Sequence, residues 1–368
     1  MNDAFWMRRA LRLAAKGFAP PNPMVGCVLV RNGIVVGEGC HSHAGQPHAE
    51  ANALRHAGAD AAGSTAYVNL EPCSHVGRTP PCADALIRAK VARVVCAVAD
   101  PNPKVDGSGF ERLRAAGISV DVGIAESEAR RLNEAFFHYH ATGAPFVTIK
   151  VAATLDGKTA TRTRSSHWVT GEAARRFSHR LRAQAGAVLV GIGTVLADDP
   201  LLTARLTPPP PRQPLRIVVD SRLRTPPESK LVGSAREWPT DCPLLIAATE
   251  LADPDRESAL AGDGVEILRI PATPDGRVDL SVLIQILGVR QIISVLVDGG
   301  GEMNAAFAFA GLAHKALFFV APKIAGGREA KTGVEGNGVH LMSEAIPMEL
   351  HKIRRLGPDV LMEAYFRP

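Results

Sequence analysis

Aromatic side chains are scarce in this sequence, at 5% of 368 residues. That argues against a surface for unpaired nucleic acid, which is gripped largely through stacking on aromatic rings. Charge of one sign is not concentrated either: the net charge is +5, but lysine and arginine are spread along the chain without a basic block. A diffuse excess of this kind serves solubility and, secondarily, attraction of small phosphorylated substrates. Long hydrophobic runs are absent too, with none approaching the ~20 residues that cross a bilayer. The opening MNDAFWMRRALRLAAKGF interrupts its apolar positions with Asp3 and several arginines, which breaks up a signal-peptide core and predicts an amphipathic helix. The six cysteines are too few and too unevenly spaced for a secreted disulfide framework. These absences predict a cytoplasmic protein with no membrane and no nucleic-acid partner.

What is present is a globular balance, 46% hydrophobic and 21% charged, in a chain too long for one ordinary core. Two domains are expected, residues 1–145 and 146–368. In the first, GCVLVRNGIVVGEG reads as a hairpin turning at Asn32-Gly33, and QPHAEANALRHAG as a helix with His48 in its first turn. Strands ending at YVNLEPC, in ARVVCAVAD and in ISVDVG alternate with helices from CADALIRA and GFERLRAAG, and ESEARRLNEAFFHYHA closes as one long helix. TGAPFVTIKVAATLDGKTA restarts the pattern, followed by strand-like AVLVGIG, LRIVVDS, PLLIAAT, QIISVLVDGG and KALFFVAPKI. Strands alternating with helices predict α/β architecture in both halves. TPPPPRQP, residues 207–214, is a surface loop inside the second.

The chemistry concentrates in GQPHAEANAL and LEPCSHVGRTPPC. His48, Cys73 and Cys82 supply one imidazole and two thiolates, and three protein ligands with one open position describe a catalytic zinc site. Glu50, two residues beyond the histidine, is placed to carry protons rather than to bind metal. Cys82 opens a helix, where a thiolate is favoured. A closed structural zinc with His75 or His41 as fourth ligand is the alternative. The order H-x-E, then P-C, then a second cysteine matches zinc-dependent nucleobase deaminases, except that eight residues separate the cysteines where that signature has two.

In the second half, three strand ends carry turns suited to a dinucleotide. Gly191-Ile192-Gly193 leads to Thr194 as a helix cap, and VLVDGGGEMNAAF can cradle a pyrophosphate on backbone N–H groups. RIVVDSRLRTP offers Ser221, Arg222 and Arg224, which suit a ribose 2′-phosphate and so NADPH over NADH.

The long cysteine loop is specific, and with PPNPMVGCV, ADPNPKV, LDGKTA and LRAQAGAVLVGIGTVLADDPLLTAR the chain resembles, over nearly its whole length, the bifunctional riboflavin-biosynthesis deaminase–reductase family. The resemblance implies a cytidine-deaminase-like α/β/α domain followed by a dihydrofolate-reductase-like α/β domain. It implies zinc-dependent removal of an exocyclic amine from 2,5-diamino-6-ribosylamino-4(3H)-pyrimidinone 5′-phosphate, then NADPH-dependent reduction of the ribosyl chain to ribityl, by a homo-oligomer. Position by position, it makes His48, Cys73 and Cys82 the zinc ligands and Glu50 the proton carrier. It puts Asn22, His41, Ser74, His75, Arg78 and Asn102 on the deaminase substrate. Ala152, Trp168, Thr194, Asp198, Ser221, Gly299, Gly300 and Gly301 fall on cofactor positions. Lys150, Ser166, Arg182, Leu202 and Arg205 fall on positions for the reductase substrate. Asp298 stands where the family commonly has glutamate, so its substrate contact is expected to be lost or water-bridged. A nucleic-acid base deaminase and a non-enzymatic zinc regulator are the competing readings; the first lacks basic and aromatic clusters, and the second does not need Glu50.

Overall fold

A computed structural model of the chain describes residues 2–17, 20–74, 80–103 and 105–367. They form two compact units, Met1–Gly143 and Ala144–Pro368. In the first, β1 (Gly26–Arg31), β2 (Ile34–Cys40), β3 (Thr65–Val68), β4 (Arg93–Cys96) and β5 (Ser119–Val122) make a sheet of order β2-β1-β3-β4-β5. β1 runs antiparallel to β2 and β3, whereas β3, β4 and β5 are parallel. Side chains alternate along a strand, and β1 shows the consequence. Cys27 and Leu29 pack with Ala49, Ala53, Leu86 and Leu113 from helices on one face, while Val28 and Val30 pack with Trp6, Met7 and Phe136 from helices on the other. The unit is therefore an α/β/α sandwich. Asn32 and Gly33 both have positive φ, 52° and 77°, as the expected two-residue hairpin turn demands.

The expected closing helix is two helices, Glu126–Leu132 and Glu134–Thr142, broken at Asn133. Asn133 is buried and takes a non-helical conformation because its amide serves another segment. Its Oδ1 accepts the N–H of Met24 at 2.8 Å and its Nδ2 donates to the Met24 carbonyl at 2.9 Å. Asn69 grips the same turn, accepting from Gly26 N–H and donating to the Met24 carbonyl. The loop carrying Asn22 is thus held by two asparagines from distant elements. Asn133→Ala is expected to lower stability by about 1–3 kcal/mol, the cost of orphaning buried polar groups. Urea unfolding of the full chain checks this, and an unchanged first transition would contradict it.

The second unit contains β6 (Phe146–Thr154), β7 (Ala187–Gly191), β8 (Leu215–Val219), β9 (Leu244–Ala248), β10 (Val265–Arg269), β11 (Ser294–Val297), β12 (Lys315–Ala321), β13 (Met348–Leu356) and β14 (Asp359–Phe366). Their order is β10-β9-β8-β7-β11-β6-β12-β14-β13, parallel from β10 to β12 and antiparallel at β14 and β13. The chain steps outward from β6 to β10 and returns to insert β11 between β7 and β6, so neighbouring strands lead into loops on opposite sides of a crevice. Val188 and Val190 pack against Leu231, Val232 and Ala235, whereas Leu189 joins Leu283 and Phe307 on the other face. The C-terminal hairpin of β13 and β14 was not anticipated from sequence. Its outer strand, MELHKIRRL, is mostly exposed and intersperses its apolar residues with charged ones, so it carries no apolar run to announce it. Among the described residues, no helix is long and apolar enough to cross a membrane.

Candidate functional site

His48 is the N-cap of helix Ala49–Ala57 rather than a residue of its first turn. Asn52, one turn on, donates to the carbonyls of Cys40 at 3.0 Å and Pro47 at 3.3 Å, fixing the chain that delivers the histidine. His48 Nδ1 lies 3.6 Å from Cys73 Sγ and 3.3 Å from Cys82 Sγ. The ligand atoms of all three lie within 4.8 Å of one another, and among the described residues the group comprises these three. One imidazole and two sulfurs on one small triangle fit a tetrahedral zinc with a vertex to spare.

The N-terminus of helix Cys82–Arg88 also serves Cys73. Cys82 begins helix Cys82–Arg88, but its main-chain N–H points at Cys73 Sγ, 3.4 Å away. The Cys82 thiol also donates to Cys73, which with His48 brings Cys73 down to about 4. Cys82 itself is pushed up, by the bond to Cys73 first and then by burial and the nearby Glu50. The helix N-terminus thus acts on the neighbouring sulfur. Glu50 is 3% exposed, and burial followed by the Cys73 charge raises it to about 7.

His41 is buried, with its ring edge-on to His48 at 5.3 Å between centroids. Asn22 Nδ2 donates to its Nε2 at 3.1 Å, and its Nδ1 donates to the Pro47 carbonyl at 3.3 Å. Both ring nitrogens are engaged, which disfavours His41 as a fourth ligand and brings Asn22 and His41 together beside the triangle. Ser74 lies with its hydroxyl 2.6 Å from that of Ser108, and Asn102 follows Asp100, whose carboxylate accepts the Asn102 N–H at 2.9 Å. His75 and Arg78 lie outside the described residues.

Sequence reasoning passed over Glu71. This buried carboxylate accepts N–H groups from Asp100 and Gly107 on one oxygen, at 3.2 and 3.0 Å, and from Gly109 and Phe110 on the other, at 2.9 and 3.4 Å. It caps helix Ser108–Ala115 and ties the Cys73 segment to the Asn102 loop. The signal was its position in LEPC: a charged residue just beyond a buried strand and itself buried requires partners.

The second unit holds a cleft of about 1530 Å³. Its lining includes all fourteen residues expected to meet cofactor or reductase substrate: Lys150, Ala152, Ser166, Trp168, Arg182, Thr194, Asp198, Leu202, Arg205, Ser221, Asp298, Gly299, Gly300 and Gly301. The cleft opens at the carboxyl ends of β7, β8 and β11, where open α/β sheets bind ligands. Several details differ from expectation. Thr194 lies inside helix Ile192–Asp198, whose N-cap is Gly191. Leu202 is 1% exposed and packs in the core at the edge of the cleft. The protein itself requires glycine at 301, since a Cβ there would lie 2.5 Å from the Thr332 carbonyl oxygen. Ser166 Oγ donates to Asp198 at 3.1 Å, and Ser221 Oγ accepts the Val278 N–H at 3.1 Å.

Asp298, directly after β11, is engaged within the protein. Its Oδ1 accepts from Lys150 Nζ at 3.0 Å, and its Oδ2 accepts from Arg182 Nε and Nη2 at 2.9 and 2.6 Å. Burial alone would raise this carboxyl, but Lys150 and Arg182 overcome that and hold it at about 2.

Residues 145–362 match the RibD C-terminal domain, and residues 1–98 match the cytidine and deoxycytidylate deaminase zinc-binding region. The chain belongs to the RibD family. A relative from Actinobacillus pleuropneumoniae named riboflavin biosynthesis protein RibD is 43% identical over 365 residues, 99% of this chain and 95% of its own. RibD of Escherichia coli (strain K12) is 44% identical over 375 residues, 98% of this chain and 99% of its own. Among solved structures, Acinetobacter baumannii RibD superposes with a TM-score of 0.85 at 38% identity, covering 100% of this chain and 99% of that one. A Thermotoga maritima protein described as a diaminohydroxyphosphoribosylaminopyrimidine deaminase/5-amino-6-(5-phosphoribosylamino)uracil reductase gives 0.84 at 32% identity and 99% coverage of both. RibD membership accounts for the joining of two α/β units in one chain.

Proposed function

We propose that residues 1–145 deaminate and residues 146–368 reduce a phosphorylated pyrimidine of riboflavin biosynthesis, in the cytoplasm and as a homo-oligomer. The first substrate is 2,5-diamino-6-ribosylamino-4(3H)-pyrimidinone 5′-phosphate and the final product is 5-amino-6-ribitylamino-uracil 5′-phosphate. The observation that carries the deaminase is the His48, Cys73 and Cys82 triangle beside a buried Glu50. Zinc held there supplies Lewis acidity, which makes water acidic near neutral pH. Glu50, raised to about 7, suits both halves of a proton shuttle: it takes a proton from the attacking water and returns it to the departing nitrogen. A C–N bond is exchanged for C–O and ammonia leaves. Asn22 and His41 orient the ring beside the triangle, His41 being neutral and fixed in one tautomer by its two partners. Ser74, Asn102, His75 and Arg78 complete the substrate set, Arg78 with a guanidinium suited to the phosphate.

The lining of the reductase cleft supports NADPH as the reductant. When bound, NADPH supplies the hydride that converts the ribosyl chain to ribityl. Ser221, Arg222 and Arg224 share the lining at the end of β8, where a 2′-phosphate finds two guanidiniums. Ala152, Trp168, Thr194, Asp198, Gly299 and Gly300 line the remainder of its path, and Gly301 opens the helix whose N-terminus faces the cleft. Ser166, Leu202 and Arg205 face the substrate, with Lys150 and Arg182 oriented by Asp298. Arg222→Ala is expected to raise KM for NADPH by roughly tenfold or more, the worth of a hydrogen bond to a charged group, and to leave KM for NADH unchanged. Steady-state kinetics with both cofactors checks this. The whole reading is tested by ammonia release and subsequent NADPH oxidation by purified protein; release without oxidation would overturn the reductase half.

A further inference from the structure

The face of helix Glu172–Gln184 that lines the reductase cleft carries Arg175, Ser178, His179 and Arg182, at helical spacing. Of these, His179 has no role in the reading so far. Its Nδ1 accepts the main-chain N–H of Arg205 at 3.2 Å. Arg182 Nη1 donates to the Thr203 carbonyl at 3.3 Å. Gln213 closes on the segment from the Pro-rich loop, accepting the Ala204 N–H at 2.7 Å and donating to the Ala204 carbonyl at 3.1 Å. Three consecutive residues, 203 to 205, are therefore pinned, and His179 holds the one that sends a guanidinium into the cleft.

The same bond sets the tautomer of the neutral ring. An imidazole that accepts at Nδ1 carries its proton on Nε2. A second proton would have to sit on Nδ1, facing the N–H of Arg205. The charged groups around it agree: burial first, then Arg182 on its own helix and Arg205 on the pinned segment, hold His179 down to about 4, against the Thr203 carbonyl and Asp298. Meanwhile Arg182 is largely occupied, since its Nε, Nη1 and Nη2 all donate to Asp298 or Thr203. The substrate carries a phosphate, and one placed between Arg182 and Arg205 would need donors beyond the two arginines.

We propose that His179 is an uncharged member of the phosphate-binding set of the reductase cleft, positioning Arg205 through Nδ1 and donating its Nε2 proton to the phosphate of the pyrimidine substrate. This rests on the reductase reading above. A neutral donor adds a hydrogen bond without adding repulsion between neighbouring cations, which suits a site already holding two guanidiniums.

The test is reductase kinetics of wild type, His179→Ala and His179→Gln with the deaminated substrate and with its dephosphorylated ribosyl form. His179→Ala is expected to raise KM for the phosphorylated substrate roughly ten- to a hundred-fold, as for a lost hydrogen bond to a charged group. Its kcat should change little, and KM for the dephosphorylated form should not move. His179→Gln, whose amide both accepts and donates, should recover most of the loss. The ratio of variant to wild-type KM should stay flat from about pH 6 to 8.5, because a neutral imidazole does not titrate there. An unchanged KM, an equal rise on both substrates, or a rise in KM for NADPH instead would overturn the proposal. A ratio that falls as pH rises would show an imidazolium and overturn the neutral donor. Wild type that oxidises no NADPH with either substrate would remove the reductase reading, and this site with it. Matching thermal unfolding of all three proteins shows that folding is not the cause.

Discussion

Replacing Glu50 by glutamine is expected to leave one equivalent of zinc in place while ammonia release falls by roughly 10²–10⁴-fold, the usual worth of a general acid–base group. The two effects separate because Glu50 stands outside the ligand triangle: the cluster of metal-binding atoms comprises His48, Cys73 and Cys82. Glutamine fills the same buried space but cannot accept and return a proton. Cys82→Ser is expected to fail differently, losing the metal itself, because it removes one of only two sulfur donors. Metal content by atomic emission, measured beside ammonia release, distinguishes them. Equal loss of zinc in both variants would put Glu50 on the metal and remove it as the proton carrier.

That His48, Cys73 and Cys82 would form a site was legible in the sequence because each sits next to a local structural signal. His48 and Cys82 mark helix starts, and Cys73 follows the end of a buried strand. The alternation of strands and helices was equally legible, since parallel strands buried on both faces read as apolar runs such as AVLV and LLIAA. What could not be read is pairing over long distances. Nothing near residue 133 announces that an asparagine there will interrupt a helix to hold Met24. Glu71 likewise gathers N–H groups from residues 100 to 110, and only the fold brings those together. The start of helix Cys82–Arg88 is a further case: a helix N-terminus was foreseen, but not that its N–H would face Cys73 Sγ.

Asp298 shows how such pairing changes a functional expectation, and its removal is expected to have the second large effect. The sequence suggested a carboxylate too short for its ligand. The structure gives it two cationic partners, with side-chain exposures of 7% for Asp298, 15% for Lys150 and 16% for Arg182. Asp298→Ala leaves both cations without their carboxylate in a largely buried site, a change that costs about 3–5 kcal/mol in buried pairs. Asp298→Glu keeps the charge and should recover most of that. The dependence on pH has a definite sign. The carboxyl is held at about 2 in the folded protein, against about 3.9 when unfolded. Its stabilisation is therefore present in full above about pH 5 and lost as pH falls through the folded value. Urea unfolding of wild type and Asp298→Ala should show a gap at pH 7 that narrows as pH drops from about 4 toward 2. A gap that stays constant over that window would mean that the charge on Asp298 is not what holds Lys150 and Arg182 in place.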